Sequence, residues 1–471
     1  MIPDSTLRAR ALAATAISGL GLVTLLLLGG QLALHLRIAS AAAVLIAIMG
    51  LAACLTLSPE RPYRLGTLYL LLFALFHIGI LVSAALGIPP PLLSITDARW
   101  VYSAAYPWAA VAVSTSMLCF LAGYFGITAS RSTKRERPND VSETPTAPIH
   151  ESIAVGIVGL IVLALGIVSW FAVVIMNGPG LMTGSYSQFL RGTQGTILPF
   201  AYLAIGLGVS LAAAGSNAAM TRVSLATFAV FALPAFLLGL RGEVIIPIAV
   251  WLVVAARRRV IKFHFSSIIV LIAALAVGAA VFQMRTVGVG AVRWETVAIS
   301  PADGLAELGY SIRPLVMTYQ WHDLSHEPHV GLGTYIAPLE RLVEGRLLGR
   351  PTISVAEDER VFSTVVATRV GPIGGSPAAE AYRAGGLTGM VAVMLLLGVI
   401  TGLFDVVRRS AMRNALVGCA GFILLLWVRN DFSPVPLQIV CALLVLGIAW
   451  LMDKLLSARD TVRPQPVRAM R

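Results

Sequence analysis

Apolar runs of about 20 residues alternate with short polar connections along most of this chain. Twelve of them, near 11–34, 38–57, 66–88, 103–128, 153–176, 197–215, 223–240, 244–256, 265–284, 387–406, 414–428 and 437–453, read as helices that cross a bilayer. The pattern breaks once. Between Arg285 and Gly386 the chain is mixed, charged and turn-rich, and a connection of that size is expected to carry function. The expected fold is an all-α polytopic membrane protein of about 12 transmembrane helices, with one large external loop containing short amphipathic helices. Its parts are helices at 1–128, a polar cytoplasmic linker at 129–152, helices at 153–285, the external loop at 286–386, and helices with a basic tail at 387–471.

Inside the loop, Ser300-Pro-Ala-Asp303 has the form of a helix start: cap, proline, then acid. Leu305, Leu308 and Ile312 then share a face, and Pro314 is expected to end that helix at Arg313. A second amphipathic piece is expected from Ile336 to Leu348, with Leu339, Leu342, Val343 and Leu347 on its apolar side. Glu340, Arg341, Glu344 and Arg346 would form its solvated side. At the end of the loop, Gly374-Gly-Ser376-Pro377 reads as a turn, an N-cap and a first helical residue. Such a helix end offers backbone N–H groups to an anion. Glu380 lies one residue past the capping-box position, so capping does not account for it. Arg383, three residues on, makes a simple surface pair the bland alternative.

Composition excludes a soluble protein: 57% of residues are hydrophobic and 12% charged. The net charge of +12 would suit nucleic acid only if it were spread evenly. It is not. The N-terminus, alternate connections and C-terminal tail on one side hold 21 Lys and Arg against 9 acids, and the other side holds 14 of each. The positive-inside rule then puts both termini in the cytoplasm and the large loop outside. All 14 external cations are arginines, whose planar fork suits a diphosphate. Cys54, Cys119, Cys419 and Cys441 fall within apolar runs and read as small core residues. The long apolar stretch after Arg10 reads as an uncleaved first helix.

A few polar residues stand where apolar ones are expected. The two spans at 223–256 share 34 residues, short of the forty or so that two crossings need, which would draw Arg241 and Glu243 below the surface. The bland alternative is a tight turn in which they pair with each other. Arg429-Asn-Asp431, before Pro434 and Pro436, reads as a turn at headgroup level. The Gly-rich segment 177–196, which carries Arg191, reads as a loop folded back on the helices. His322, His326 and His329 lack the pattern of a metal site, so no metal is expected; His322 remains a minor candidate for a general base.

Two segments, Leu238-Gly-Leu-Arg-Gly-Glu-Val-Ile-Ile-Pro-Ile and Gly374-Gly-Ser-Pro-Ala-Ala-Glu-Ala-Tyr-Arg-Ala-Gly-Gly, resemble the Wzy-type O-antigen and oligosaccharide repeat-unit polymerases, with the likeness running over roughly 235–405. The resemblance implies a membrane glycosyltransferase, GT-C-like, in the bacterial plasma membrane. Its substrate would be an undecaprenyl-diphosphate-linked oligosaccharide, with no cofactor or metal, and a chain-length regulator and a flippase would be its partners. In that setting Arg241, Arg313 and Arg383 would bind the diphosphate, joined by Arg191, Arg429 and Ser376. Glu380 would be the catalytic base, with Glu243 second. The open alternatives are an O-antigen ligase or other lipid-linked-sugar-dependent glycosyltransferase, and a lipid-linked oligosaccharide flippase or transporter.

Overall fold

A computed structural model describes residues 4–56, 63–88, 99–132, 152–215, 218–261, 300–371, 373–407 and 409–462, with isolated positions between 272 and 288. Every regular element among them is helical. In chain order these are α1 (Asp4–Leu32), α2 (Leu36–Thr56), α3 (Leu65–Leu86), α4 (Ala105–Ser132), α5 (Ile153–Met176), α6 (Tyr186–Gly192), α7 (Leu198–Ala214), α8 (Ala218–Leu237) and α9 (Arg241–Arg257). The loop supplies α10 (Pro301–Leu308), α11 (Arg313–Tyr319), α12 (Gly333–Glu340) and α13 (Phe362–Arg369). Then come α14 (Pro377–Asp405), α15 (Ala411–Trp427) and α16 (Val435–Val462).

Among the described residues, α1 to α5, α8, α14 and α16 are long and apolar enough to cross a membrane, and α7 and α15 are shorter apolar helices. These and α9 match the expected spans, except the one at 265–284, which lies almost wholly outside the described residues, as does most of the 129–152 linker. The protein is a polytopic helical membrane protein, as the pattern of apolar runs requires. The helices pack closely where small residues meet: Gly123 of α4 faces the backbone of Leu395 in α14, and Gly398 of α14 faces Phe120. Three cysteines are buried and Cys441 is half-buried, all as free thiols.

Polar groups tie the helix ends at both faces. At the face away from the loop, the Asp405 carboxylate at the end of α14 accepts from the Leu65 and Gly66 N–H groups at 2.9 and 3.0 Å, so it caps α3 from a distant part of the chain. It also accepts from the Tyr124 hydroxyl at 3.0 Å. Arg257 donates to Asn414 Oδ1 at 3.0 Å and to the Val407 carbonyl at 2.8 Å, which joins α9 to α15 and to the turn before it.

At the loop face, Ser300 caps α10 as expected, accepting from the Asp303 N–H at 3.3 Å. Pro314 does not end that helix. α10 stops at Leu308, a 3₁₀ turn follows over Gly309–Ile312, and Pro314 sits in the first turn of α11, where its missing N–H costs nothing. α10 lies directly on α3, because Gly79 and Gly309 have no side chain to separate the two backbones. The 177–196 segment folds back as expected. Ser185 and Gln188 form a capping box at the start of α6, and the buried Phe189 packs against Trp170 with ring centroids 6.4 Å apart.

The second amphipathic piece differs from expectation chiefly in its apolar side, which stays exposed. α12 runs into a π-helical stretch over Arg341–Leu347. Part of its polar side is engaged by the loop, Arg341 pairing with Asp358 at 2.9 Å and the partly exposed Glu340 with Arg360 at 2.8 Å, while Glu344 and Arg346 stay exposed as expected. The apolar side chains face outward.

Candidate functional site

The loop-side ends of α9, α14 and α15 meet the middle of α3 around the turn that joins α15 to α16. α14 is one kinked helix, broken at Gly385 (φ −157°) and Gly386 (φ +59°), so its first two turns belong to the loop-side mouth. The chain enters α14 through Gly374 (φ +78°) and Gly375. A Cβ at Gly375 would lie 2.6 Å from the Asp431 nitrogen, so only glycine lets the 429–431 backbone lie there. The Gly375 N–H donates to the Arg429 carbonyl at 3.0 Å. The close approach that the glycines were expected to offer a ligand is taken by the protein's own chain. Ser376 to Ala379 are all buried, so the first turn of α14 is covered by protein.

Ser376 sits at the N-cap with extended backbone angles, yet its hydroxyl makes no capping bond. It lies instead 2.8 Å from Nε2 of His77 on α3. Glu380, one turn further on, is 1% exposed. Its Oε1 accepts from the Thr334 hydroxyl at 2.9 Å, and its Oε2 from the Phe432 N–H at 2.8 Å and from Trp427 Nε1 at 3.4 Å. One carboxylate therefore joins α14, α12, the end of α15 and the turn after it. Arg383 faces the other way: its guanidinium donates to the Arg360 carbonyl at 3.0 Å and to the Glu359 carbonyl. Glu380 and Arg383 do not form the surface pair, because each is engaged on a different segment of the loop.

The Arg241 and Glu243 pair separates in the same way. α8 begins at Ala218, earlier than the apolar pattern indicated, so the helices are long enough and the shortage of residues disappears. Arg241 is nevertheless buried, because it opens α9 beneath α10 and forms an ion pair with Glu307. Glu243 is half-buried, and its side chain makes no hydrogen bond or ion pair among the described residues; the Tyr202 hydroxyl lies within its electrostatic reach.

Arg429 completes this corner. Its guanidinium stands over the Phe76 ring, 5.7 Å from the centroid, with Nη1 3.2 Å from where a Gly242 Cβ would be. It too is half-buried, with no hydrogen bond or ion pair from its side chain among the described residues. Arg429 and Glu243 thus flank Gly242 as an unengaged cation and an unengaged carboxylate. Arg313 opens α11 and is half-buried, while Arg191 lies exposed at the end of α6, away from this cluster in the hydrogen-bond network.

The residues that hold this mouth together include three that the sequence did not single out, His77, Thr334 and Trp427, beside Asp431 of the expected turn. Asp431 is buried and accepts from the Ser363 N–H at 3.0 Å. Burial pushes its carboxyl up from the ordinary range. His77 carried a readable signal, a lone ionisable residue in the middle of an apolar span. Thr334 carried none. His322 does not converge with His326; its ring stacks on His329 at 4.7 Å and its Nδ1 lies 2.9 Å from the Glu327 carbonyl.

No curated protein and no solved structure matches this chain. The family model for O-antigen polysaccharide polymerase Wzy matches residues 22–457, which extends the likeness from the two motifs at the loop-side mouth to nearly the whole chain. A many-helix membrane protein with an organised mouth of arginines and carboxylates beside its large loop, this chain belongs to the O-antigen polysaccharide polymerase Wzy family.

Proposed function

We infer that this protein lengthens a polysaccharide at the outer face of the bacterial plasma membrane, moving a growing undecaprenyl-diphosphate-linked glycan onto a new lipid-linked repeat unit. The observation that carries this reading is the pair flanking Gly242: Arg429 and Glu243, half-buried, of opposite charge, and neither side chain hydrogen-bonded or ion-paired among the described residues. In the transfer, the bond between the anomeric carbon and the phosphate oxygen breaks, and its electron pair leaves with the lipid diphosphate. A hydroxyl oxygen of the incoming unit forms the new glycosidic bond and gives up its proton. Arg429 is placed to stabilise the charge gathering on the diphosphate, and Glu243 to take the proton.

Glu380 fits a different part. A carboxylate that is 1% exposed and satisfied by three donors is suited to positioning. It fixes the turn that carries Arg429 against α14. Arg241 and Arg383 are likewise positioning residues, holding α10 and the 359–360 backbone. With Lys and Arg concentrated on the opposite face, this mouth lies outside and both termini lie in the cytoplasm.

The test is to reconstitute the purified protein with a lipid-diphosphate-linked repeat unit and resolve the products on a gel. A ladder of lengths is expected. A single unchanged band would overturn the polymerase reading and leave transfer to another acceptor, or translocation, as the activity to seek.

A further inference from the structure

The outward face of α12 and its π-helical continuation carries a stripe that none of the described residues covers. Leu332, Ile336, Leu339, Val343 and Leu347 follow one another at three- and four-residue steps and are 44–72% exposed. The opposite face is fixed: Thr334 bonds Glu380, Tyr335 meets Phe432 edge-on with centroids 5.3 Å apart, and Arg341 pairs with Asp358. The stripe is therefore held in one orientation, and a continuous apolar surface of this kind marks an interaction site.

Its depth identifies the occupant. Phe432 immediately precedes α16, a helix long enough to cross the membrane. Tyr335 meets Phe432 in the turn before that helix, and Thr334 bonds Glu380 in the first turn of α14, a second span. The segment therefore lies beside the starts of two spans, the level at which lipid headgroups and the top of the acyl chains are met.

We propose that residues 332–348 form an interfacial element whose leucine, isoleucine and valine stripe is seated among the acyl chains of the outer leaflet. The exposed Arg346 and Arg350 reach up to the lipid phosphates. This holds the loop flat on the membrane at the level where a lipid-bound diphosphate sits. The proposal stands without the catalytic assignments above, since it rests on the stripe and its depth.

The experiment places a fluorophore on single cysteines, Ile336→Cys, Leu339→Cys or Val343→Cys, with Glu344→Cys as the polar-face control and Cys441→Ser in the background. Each protein is reconstituted in phosphatidylethanolamine and phosphatidylglycerol vesicles, with and without bromine on the acyl chains. Probes on the stripe should lose roughly half or more of their emission to the bromolipid, and the Glu344 probe should lose roughly a tenth or less, as expected for apolar side chains buried several ångströms into the leaflet. Quenching of the stripe probes by aqueous iodide instead would overturn the proposal. Protection from both quenchers would also overturn it, and would assign the stripe to a second copy of the chain.

Discussion

The Ser376 hydroxyl lies 2.8 Å from Nε2 of His77, and Nδ1 of the same ring lies 2.9 Å from the Phe73 carbonyl oxygen. A carbonyl only accepts, so Nδ1 carries the proton and, in the neutral ring, Nε2 accepts from Ser376. The bond stitches α3 to the N-cap of α14. Ser376→Ala leaves the buried Nε2 without a donor and should cost about 1–3 kcal/mol. His77→Phe combined with Ser376→Ala removes both partners and should cost less than the sum of the single changes. Thermal unfolding in detergent, read as a double-mutant cycle, checks this; strict additivity would mean the bond contributes nothing.

Glu243 and Glu380 should respond differently to loss of charge. Glu243→Gln is expected to lower the rate of chain extension about 10²–10⁴-fold with thermal stability unchanged. Glu380→Gln places an amide against donors that the carboxylate now satisfies and should lower stability by about 1.5–3 kcal/mol, with activity falling alongside. The measurements are single-turnover transfer and thermal unfolding of the same preparations. Full stability in Glu380→Gln together with no activity would reverse the two roles.

Arg429→Ala should slow transfer about 10²–10³-fold, the usual effect of losing one preorganised group at a developing charge. Because the charge develops as the bond breaks, kcat should fall more than KM rises. Arg429→Lys keeps the charge but not the planar fork, and should restore only part of the rate. A product ladder unchanged in both variants would remove Arg429 from the mechanism.

The Arg241–Glu307 ion pair is buried between α9 and α10. Removing one partner leaves a charge in a poorly solvated place. Arg241→Met or Glu307→Leu alone should destabilise by about 3–5 kcal/mol, while the two together should recover most of that loss. Equal damage in the single and double variants would show that Arg241 acts through something other than the pair.

Asp358 gives the loop a dependence on acid. Burial alone would raise its carboxyl, but hydrogen bonds from Arg360 and the charges of Arg360 and Arg341 outweigh this and hold it below the ordinary range. A group whose value is depressed on folding binds fewer protons in the folded state. Its contribution is complete above about pH 4 and is lost as the pH falls through the folded value. Asp358→Asn should therefore lower stability at neutral pH and flatten its decline below about pH 4, followed by thermal unfolding across that range. An unchanged acid limb would show that the pairing of Asp358 is not sensed by the fold.

The chain by itself determined the spans, the large loop and the helix start at Ser300, because each depends on neighbours in sequence: about 20 apolar residues in a row, or a cap three residues from its partner. It also pointed to the mouth, since ionisable residues such as Arg241, Glu380 and Arg429 stand out against apolar surroundings. The division of labour among them was settled by tertiary structure. Arg241 lies two residues from Glu243 yet pairs with Glu307, and Glu380 lies three from Arg383 yet bonds to Thr334, Trp427 and Phe432. A buried charge takes whichever partner the packed helices bring within reach, and residues from distant segments enter that reach only when the chain has folded. The same holds for α12, whose apolar and polar sides are plain in its periodicity, while the pairing of Arg341 and Glu340 with Asp358 and Arg360 arises only once the loop has folded.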